Sequence, residues 1–170
     1  MASNVTFQDF SFEVKAALDE TTIAWLHETA NEIASQAERN CKTDYEEGSK
    51  QLKGSYAANV DDDKGEAKVG SPMEAAYWEE WGTGEYAAHG DGRKGWWIYV
   101  PGQPSMGGGM TYYDEMEAMM MAAYIQEKYG KKAYVTNGRR PNYTLEKAFE
   151  ATKNPAIERL EQMLKERMDT

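Results

Sequence analysis

The sequence predicts an α+β fold, and three observations predict it. Near both ends, apolar residues step by threes and fours, as one face of a helix must. Between them lie short apolar runs bounded by Asp, Asn, Gly and Pro, the punctuation of strands and turns. The length, 170 residues, fits one domain at roughly 100–200 residues each. Helices at both ends around a small antiparallel sheet place the chain in that class.

The elements follow in order. Val5 to Val14 alternates loosely and reads as a short strand or extended arm. Ile23, Leu26, Ala30, Ile33, Ala34, Ala37 and Cys41 then share one face of a long helix, with Asp19 or Thr21 as its cap. A polar stretch follows from Asn40 to Lys50. Ser55–Val60 and Ala67–Gly70 form a hairpin around Asp61-Asp62-Asp63-Lys64-Gly65. Met73–Trp81 is a short aromatic helix stopped by Gly82-Thr83-Gly84, and a glycine-rich loop leads to the strand Trp96–Val100. Tyr112–Tyr129 reads as an amphipathic helix with Tyr113, Met116, Met120, Ala123 and Tyr124 on one side, stopped by Gly130. Ala133–Thr136 is the last strand. Leu145, Phe149, Ala156, Leu160, Met163, Leu164 and Met168 give a long C-terminal helical pattern. Asn154-Pro155 inside it, as a cap followed by a first-turn proline, leads to an expectation of a helix pair or one kinked helix. No repeat or long linker divides the chain, so one domain over residues 1–170 is expected.

Composition narrows the class. Leu, Ile, Val and Phe number only 21 of 170 residues, whereas Met (10), Trp (5) and Tyr (11) are abundant. Each buried Trp or Tyr removes about 150–250 Å² from water, so the expected core is soft and aromatic, and the isolated subunit marginally stable. Asp and Glu (29) exceed Lys and Arg (19), and the pI near 4.8 argues against wrapping a phosphate backbone. A single cysteine, Cys41, excludes an internal disulfide and a Cys-rich zinc site. No apolar run approaches the about 18 residues of a membrane span. Met1–Phe12 lacks the basic start and apolar stretch of a secretion signal. A soluble, acidic protein folding in a reducing compartment is expected.

The motif-like segments each lack a residue or a context that their chemistry requires. Gly90-Asp91-Gly92-Arg93-Lys94-Gly95 matches G-x-G-x-x-G, but a β run follows it where a dinucleotide site needs a helix N-terminus. Counted from Asp61 as a calcium loop, the sixth residue is Glu66 and the twelfth Pro72, where glycine and glutamate belong. His27 lacks the second histidine of a zinc helix, and no spacing unites His89, Asp91 and Ser105 into a triad. No cofactor, metal or catalytic residue is expected.

The distinctive cluster is Trp78, Trp81, Trp96, Trp97 and Tyr99. Strand alternation puts Trp96 and Trp97 on opposite faces, so half the cluster is expected in the core and half on a partner surface. The Met116, Met119, Met120, Met121 run reads as core or subunit contact.

The order of motifs is more specific than any one of them. Gly48 and Leu52-Lys53-Gly54-Ser55-Tyr56 enter the hairpin. Tyr77, Glu80, Gly82-Thr83-Gly84, Gly90-Asp91-Gly92-Arg93-Lys94 and Trp97-Ile98-Tyr99 follow. Then Thr136-Asn137-Gly138-Arg139-Arg140-Pro141 runs through Leu145 to Ala148. In this order, over roughly residues 10–168, the chain resembles the tail-completion (head–tail joining, tail-component) protein family of long-tailed bacteriophages. It departs in the three residues between Gly48 and Leu52, in Trp81 where a smaller residue is usual, and in an apparent helical insertion at 102–130.

The resemblance implies a non-enzymatic virion protein that forms a homo-oligomeric ring, a hexamer, at the neck or tail top. Implied partners are the neighbouring connector or stopper and the tail terminator or tail-tube proteins. DNA would be only passing cargo, repelled by an acidic channel, with no membrane involved. The implied location is the virion, after assembly in the host cytoplasm. Contacts between subunits would fall on Trp78, Trp81, Gly82, Thr83, Gly84, Arg93, Trp96, Trp97, Tyr99, Met116 and Met120, with the insertion helix touching a neighbouring ring. The competing readings are a glycan-binding module with Trp96, Trp97 and Tyr99 as a stacking platform, and a hydrolase using His27 or His89.

Overall fold

A computed structural model describes residues 20–42, 52–101 and 109–168. The expected arm Val5–Val14, the cap Asp19, Gly48, Ser105 and the loop 102–108 lie outside the described residues. Mixed α+β architecture is observed, with long helices near both ends of the chain. Contacts group it into two compact units, Met1–Glu80 with Asn142–Thr170, and Trp81–Pro141.

The first unit is built on α1 (Glu20–Asn40). Its buried face runs through Thr22, Trp25, Leu26, Thr29, Ala30, Ile33, Ala37 and Cys41, the 3.6-residue period of the sequence. Trp25 lies inside this stripe, and Ile23 at its edge is half-buried. The hairpin β1 (Ala57–Asp61) and β2 (Glu66–Gly70) packs on α1. Its register pairs Ala58 with Val69 and Val60 with Ala67, so the apolar side chains share the face toward α1. The turn is the expected one: Gly65 takes a positive φ of 63°, and the Lys64 amide donates to Asp61 Oδ1 at 3.2 Å. Beyond it, α2 (Glu74–Trp81) carries the chain to the second unit.

α4 closes the first unit as one continuous helix, Thr144–Met168, with Pro155 inside it. A cap and a second helix start at Asn154-Pro155 are therefore not observed. Pro155 has no N–H to give the preceding turn, and tertiary packing holds the helix through this point. Leu145, Ala148, Thr152 and Ala156 are buried along its inner face, and Trp25 Nε1 donates to the Ala156 carbonyl at 2.7 Å. Arg159 Nη2 donates to Glu32 Oε2 at 2.8 Å, a second tie between α1 and α4.

The core differs in kind from the one the composition predicts. Seven alanines (Ala30, Ala34, Ala37, Ala67, Ala76, Ala148, Ala156) join Leu26, Ile33, Leu52, Val69 and Leu145 in it, with Trp25 and Tyr56 as its large rings. Small residues let the two long helices approach closely, which recovers packing density without bulk. Methionine contributes little there, whereas Met110, Met116, Met119, Met120 and Met121 are exposed.

The second unit carries the remaining β structure as two ribbons. β3 (Thr83–Gly84) pairs with β6 (Gly138–Arg139), and β4 (Trp97–Tyr99) pairs with β5 (Tyr134–Thr136), both antiparallel. α3 (Glu115–Tyr129) lies against β5 and β4. Asp114 caps its start by accepting the Met116 amide at 2.8 Å, and Gly130, at φ 64°, ends it. The helix is where the pattern placed it, but its buried residues are Ala118 and Ala122. The Met116, Met120 and Tyr124 side faces solvent. Small side chains face inward because the strands lie close beneath the helix.

Candidate assembly surface

Two segments more than fifty positions apart in the chain meet in the second unit. Thr83 pairs with Arg139 and Gly84 with Gly138. Thr83 Oγ1 accepts the Arg139 amide at 3.0 Å. Glu85 continues the contact, its amide donating to the Asn137 carbonyl at 2.9 Å and its Oε2 accepting Asn137 Nδ2 at 3.3 Å. Glycine is required here. Gly82 and Gly84 have φ of 73° and 62°, a region L side chains rarely enter. A Cβ on Gly82 would stand 2.6 Å from the Arg139 carbonyl oxygen, and one on Gly84 would stand 2.5 Å from the Trp97 ring. The Gly-Thr-Gly motif is thus a close crossing of backbones.

The glycine loop is pinned by Arg93. Its guanidinium lies 5.1 Å from the Trp97 ring centroid, Nε donates to Thr111 Oγ1 at 2.8 Å, and Nη2 donates to the Gly109 carbonyl. Gly95 takes φ 82° and its amide donates to Glu85 Oε1 at 3.3 Å. These contacts explain the loop as structure, with no helix N-terminus for a pyrophosphate.

The aromatic residues separate. Trp97 and Tyr99 share one face of β4, and Trp96 lies on the other, bridged to buried Tyr112. Trp96 and Trp97 are each half-buried, whereas Tyr99 is exposed beside Tyr134, its exposed cross-strand partner. Trp81 is half-buried with the His89 ring at 4.7 Å. Trp78, on α2 of the first unit, is exposed. The three residues of the expected stacking platform therefore do not share one face.

On α3 the exposure is greater. Met116 is 69% exposed, Met120 70% and Met119 52%. Tyr113, Tyr124 and Tyr129 are exposed beside them. Lys128 Nζ donates to Tyr124 Oη at 2.6 Å and lies 5.4 Å from the Tyr129 ring.

Three buried polar residues organise the first unit: Glu79, Glu80 and Asn142, the last two within the motif segments. Glu79 Oε1 accepts the Lys42 amide at 3.0 Å and Asn142 Nδ2 at 2.9 Å. Glu80 Oε2 and Oε1 accept the Leu145 and Glu146 amides, at 2.7 and 3.0 Å. Burial pushes the Glu80 carboxyl above its ordinary range, against the lowering effect of those two backbone donors. The Tyr56 hydroxyl is raised well above its ordinary value by burial and then by nearby Cys41, Glu79 and Glu80. The only sequence signal for Glu80 was its place just before Gly-Thr-Gly, and the positive φ of Tyr143, 52°, had none.

The histidines stand apart. His27 Nε2 lies 2.7 Å from Asp62 Oδ1, an exposed pair that ties α1 to the hairpin tip. Among the described residues no group of three or more His, Cys, Asp or Glu side chains could hold a metal ion. No described helix is long and apolar enough to cross a membrane. Compared with protein-family models, curated proteins and solved structures, the chain finds no match.

Proposed function

We propose that the chain is a structural virion protein of the neck or tail top of a long-tailed bacteriophage. In this reading it forms a ring, sixfold as the resemblance implies, that completes the tail or joins it to the head connector. The ring would line the channel through which DNA passes. The reading is supported by what the motif residues do: Gly82, Thr83, Gly84, Gly138 and Arg139 build one backbone crossing, and Glu80 caps the helix that follows. These are duties of a scaffold.

The observation that carries the assembly role is the apolar surface of the second unit. Tyr99, Tyr113, Met116, Met119, Met120, Tyr124 and Tyr134 all stand exposed, and an apolar surface of this kind marks a contact with another protein. Tyr and Met are also the residue types enriched where proteins meet. Subunit contacts are assigned to Tyr99, Met116 and Met120 on this surface and, separately, to exposed Trp78 on the first unit. Trp81, Gly82, Thr83, Gly84, Arg93, Trp96 and Trp97 are buried or half-buried and build the unit's own fold. The net charge of −10 suits a channel to which phosphates must not adhere.

Particles assembled without this chain test the reading. Heads and tails that fail to join, or tails with a defective end, are expected under electron microscopy. Normal infectious particles from the deletion strain overturn it.

A further inference from the structure

The exposed side of α3 is a contiguous seam. Met116, Met119, Met120, Ala123 and Tyr124 recur at i, i+3, i+4, i+7 and i+8, the spacing of a face that packs on another helix. All five are exposed, while Ala118 and Ala122 on the opposite side meet the unit's own strands. The seam is therefore additional to the face that folds the unit.

Charge along α3 says what occupies the seam. Asp114, Glu115 and Glu117 crowd its first turn, while Lys128, Lys131 and Lys132, set against the single carboxylate of Glu127, leave its last turn and the residues just beyond it net positive. Glu117 and Lys128 flank the seam on the same side, one near each end, because 117, 121, 124 and 128 step by four, three and four. The Lys128 ammonium is held at the seam's edge, 5.0 Å from the Tyr124 ring. A helix with an acidic start and a basic end is complementary to itself reversed. Side by side in the same direction, two copies would set like charges together. Antiparallel, each acidic end meets a basic one, and the helix dipoles oppose favourably.

We propose that α3 pairs antiparallel with α3 of a second copy of this chain across this seam. The contact is isologous, so Glu117 of each copy lies beside Lys128 of the other and Ala123 lies near the two-fold axis. Unbranched Met side chains interdigitate across such an axis without needing one fixed fit. The pairing names the partner of α3 within the assembly role, and it does not depend on the ring. An isologous contact closes on two copies, so in a ring-forming chain it would join one ring to another. The helix has 15 residues, about 22 Å of length. Its seam is smaller than the roughly 800 Å² per partner of a standard interface, so the pair is expected to be weak and concentration-dependent.

Sedimentation equilibrium of the full chain and its charge variants tests the pairing. The wild type is expected to associate as two copies with rising concentration. Glu117→Lys and Lys128→Glu should each weaken association about tenfold, and the double reversal should restore it by exchanging the signs of each pair. Ala123→Cys should form a disulfide with itself on mild oxidation, with buried Cys41 left in place. Glu117→Cys should cross-link mainly when mixed with Lys128→Cys. The pairing is overturned by a wild type that stays monomeric. It is equally overturned by a folded double reversal that fails to associate, or by Glu117→Cys cross-linking to itself as readily as to Lys128→Cys. A ring indifferent to all these changes removes the pairing and keeps the ring, whereas pairs without a ring do the reverse.

Discussion

The carboxylate of Glu80 accepts the Leu145 amide at 2.7 Å across 65 positions of sequence. With the Glu146 amide on its other oxygen, at 3.0 Å, it satisfies two of the free N–H groups that every helix leaves at its start. Its charge also faces the positive end of the α4 dipole. A residue of α2 thus does what an adjacent Ser or Asp does in an ordinary cap. Glu80→Ala leaves both donors without this acceptor in a buried place. It should lower stability by about 2–3 kcal/mol in chemical denaturation, and an unchanged midpoint would contradict the cap.

The same group gives a pH signature. Its carboxyl is raised in the folded chain above the ordinary value of 4.5. Its contribution is therefore fully present below 4.5 and declines as pH rises through the raised folded value. Paired denaturation curves should show the advantage of wild type over Glu80→Gln growing as pH falls from 7 toward 4.5. An advantage that shrinks over that window would mean that the amide donors outweigh burial.

Crowding and backbone angle can be separated at two glycines. Gly84 has φ 62° and no room for a Cβ against the Trp97 ring, whereas Gly90, at φ 72°, has nothing within 4 Å. Gly90→Ala should cost only the left-handed penalty, about 1–2 kcal/mol. Gly84→Ala adds the clash and should exceed about 3 kcal/mol. Limited proteolysis of Trp81–Pro141 should show the difference directly. Equal effects would place the crossing elsewhere.

Helices α1 and α4 depend on Trp25. Trp25→Phe removes part of the buried indole as well as the bond to the Ala156 carbonyl, and should cost about 2–3 kcal/mol in chemical denaturation. Pro155→Ala, one residue earlier, supplies the missing helical N–H and should raise stability by about 1–3 kcal/mol in thermal melts. A destabilised Pro155→Ala would show that the helix uses a bend there.

Tyr56 offers an alkaline counterpart to Glu80. Burial raises its hydroxyl far above the ordinary value of 10, so stability falls as pH climbs beyond 10. Absorbance titration should find one tyrosine that ionises only as the chain unfolds, and Tyr56→Phe should remove that step.

Periodicity made the architecture legible: α1, the 57–70 hairpin and the α3 span can be read from spacing and turn residues, within a residue or three at their ends. The occupants of the core could not be read so. Bulk alone suggested that Met and Trp fill it, yet the face α3 buries is Ala118 and Ala122, because the distance between backbones decides which side chains fit. Asn154-Pro155 looked like a helix start, and packing on Trp25 overrode that local preference. The pairing of Thr83 with Arg139 and the reach of Glu80 to Leu145 were invisible because each joins segments that only the tertiary fold brings together. The motif order did mark both ends of those contacts.

The proposed role requires a ring of this chain in the virion neck. Electron-microscopic reconstruction of that region, in particles that incorporate the chain, tests it most directly. A closed, rotationally symmetric ring of copies between connector and tail, with the Trp81–Pro141 units meeting their neighbours, is the predicted result. Particles whose neck contains no copy of the chain would contradict it.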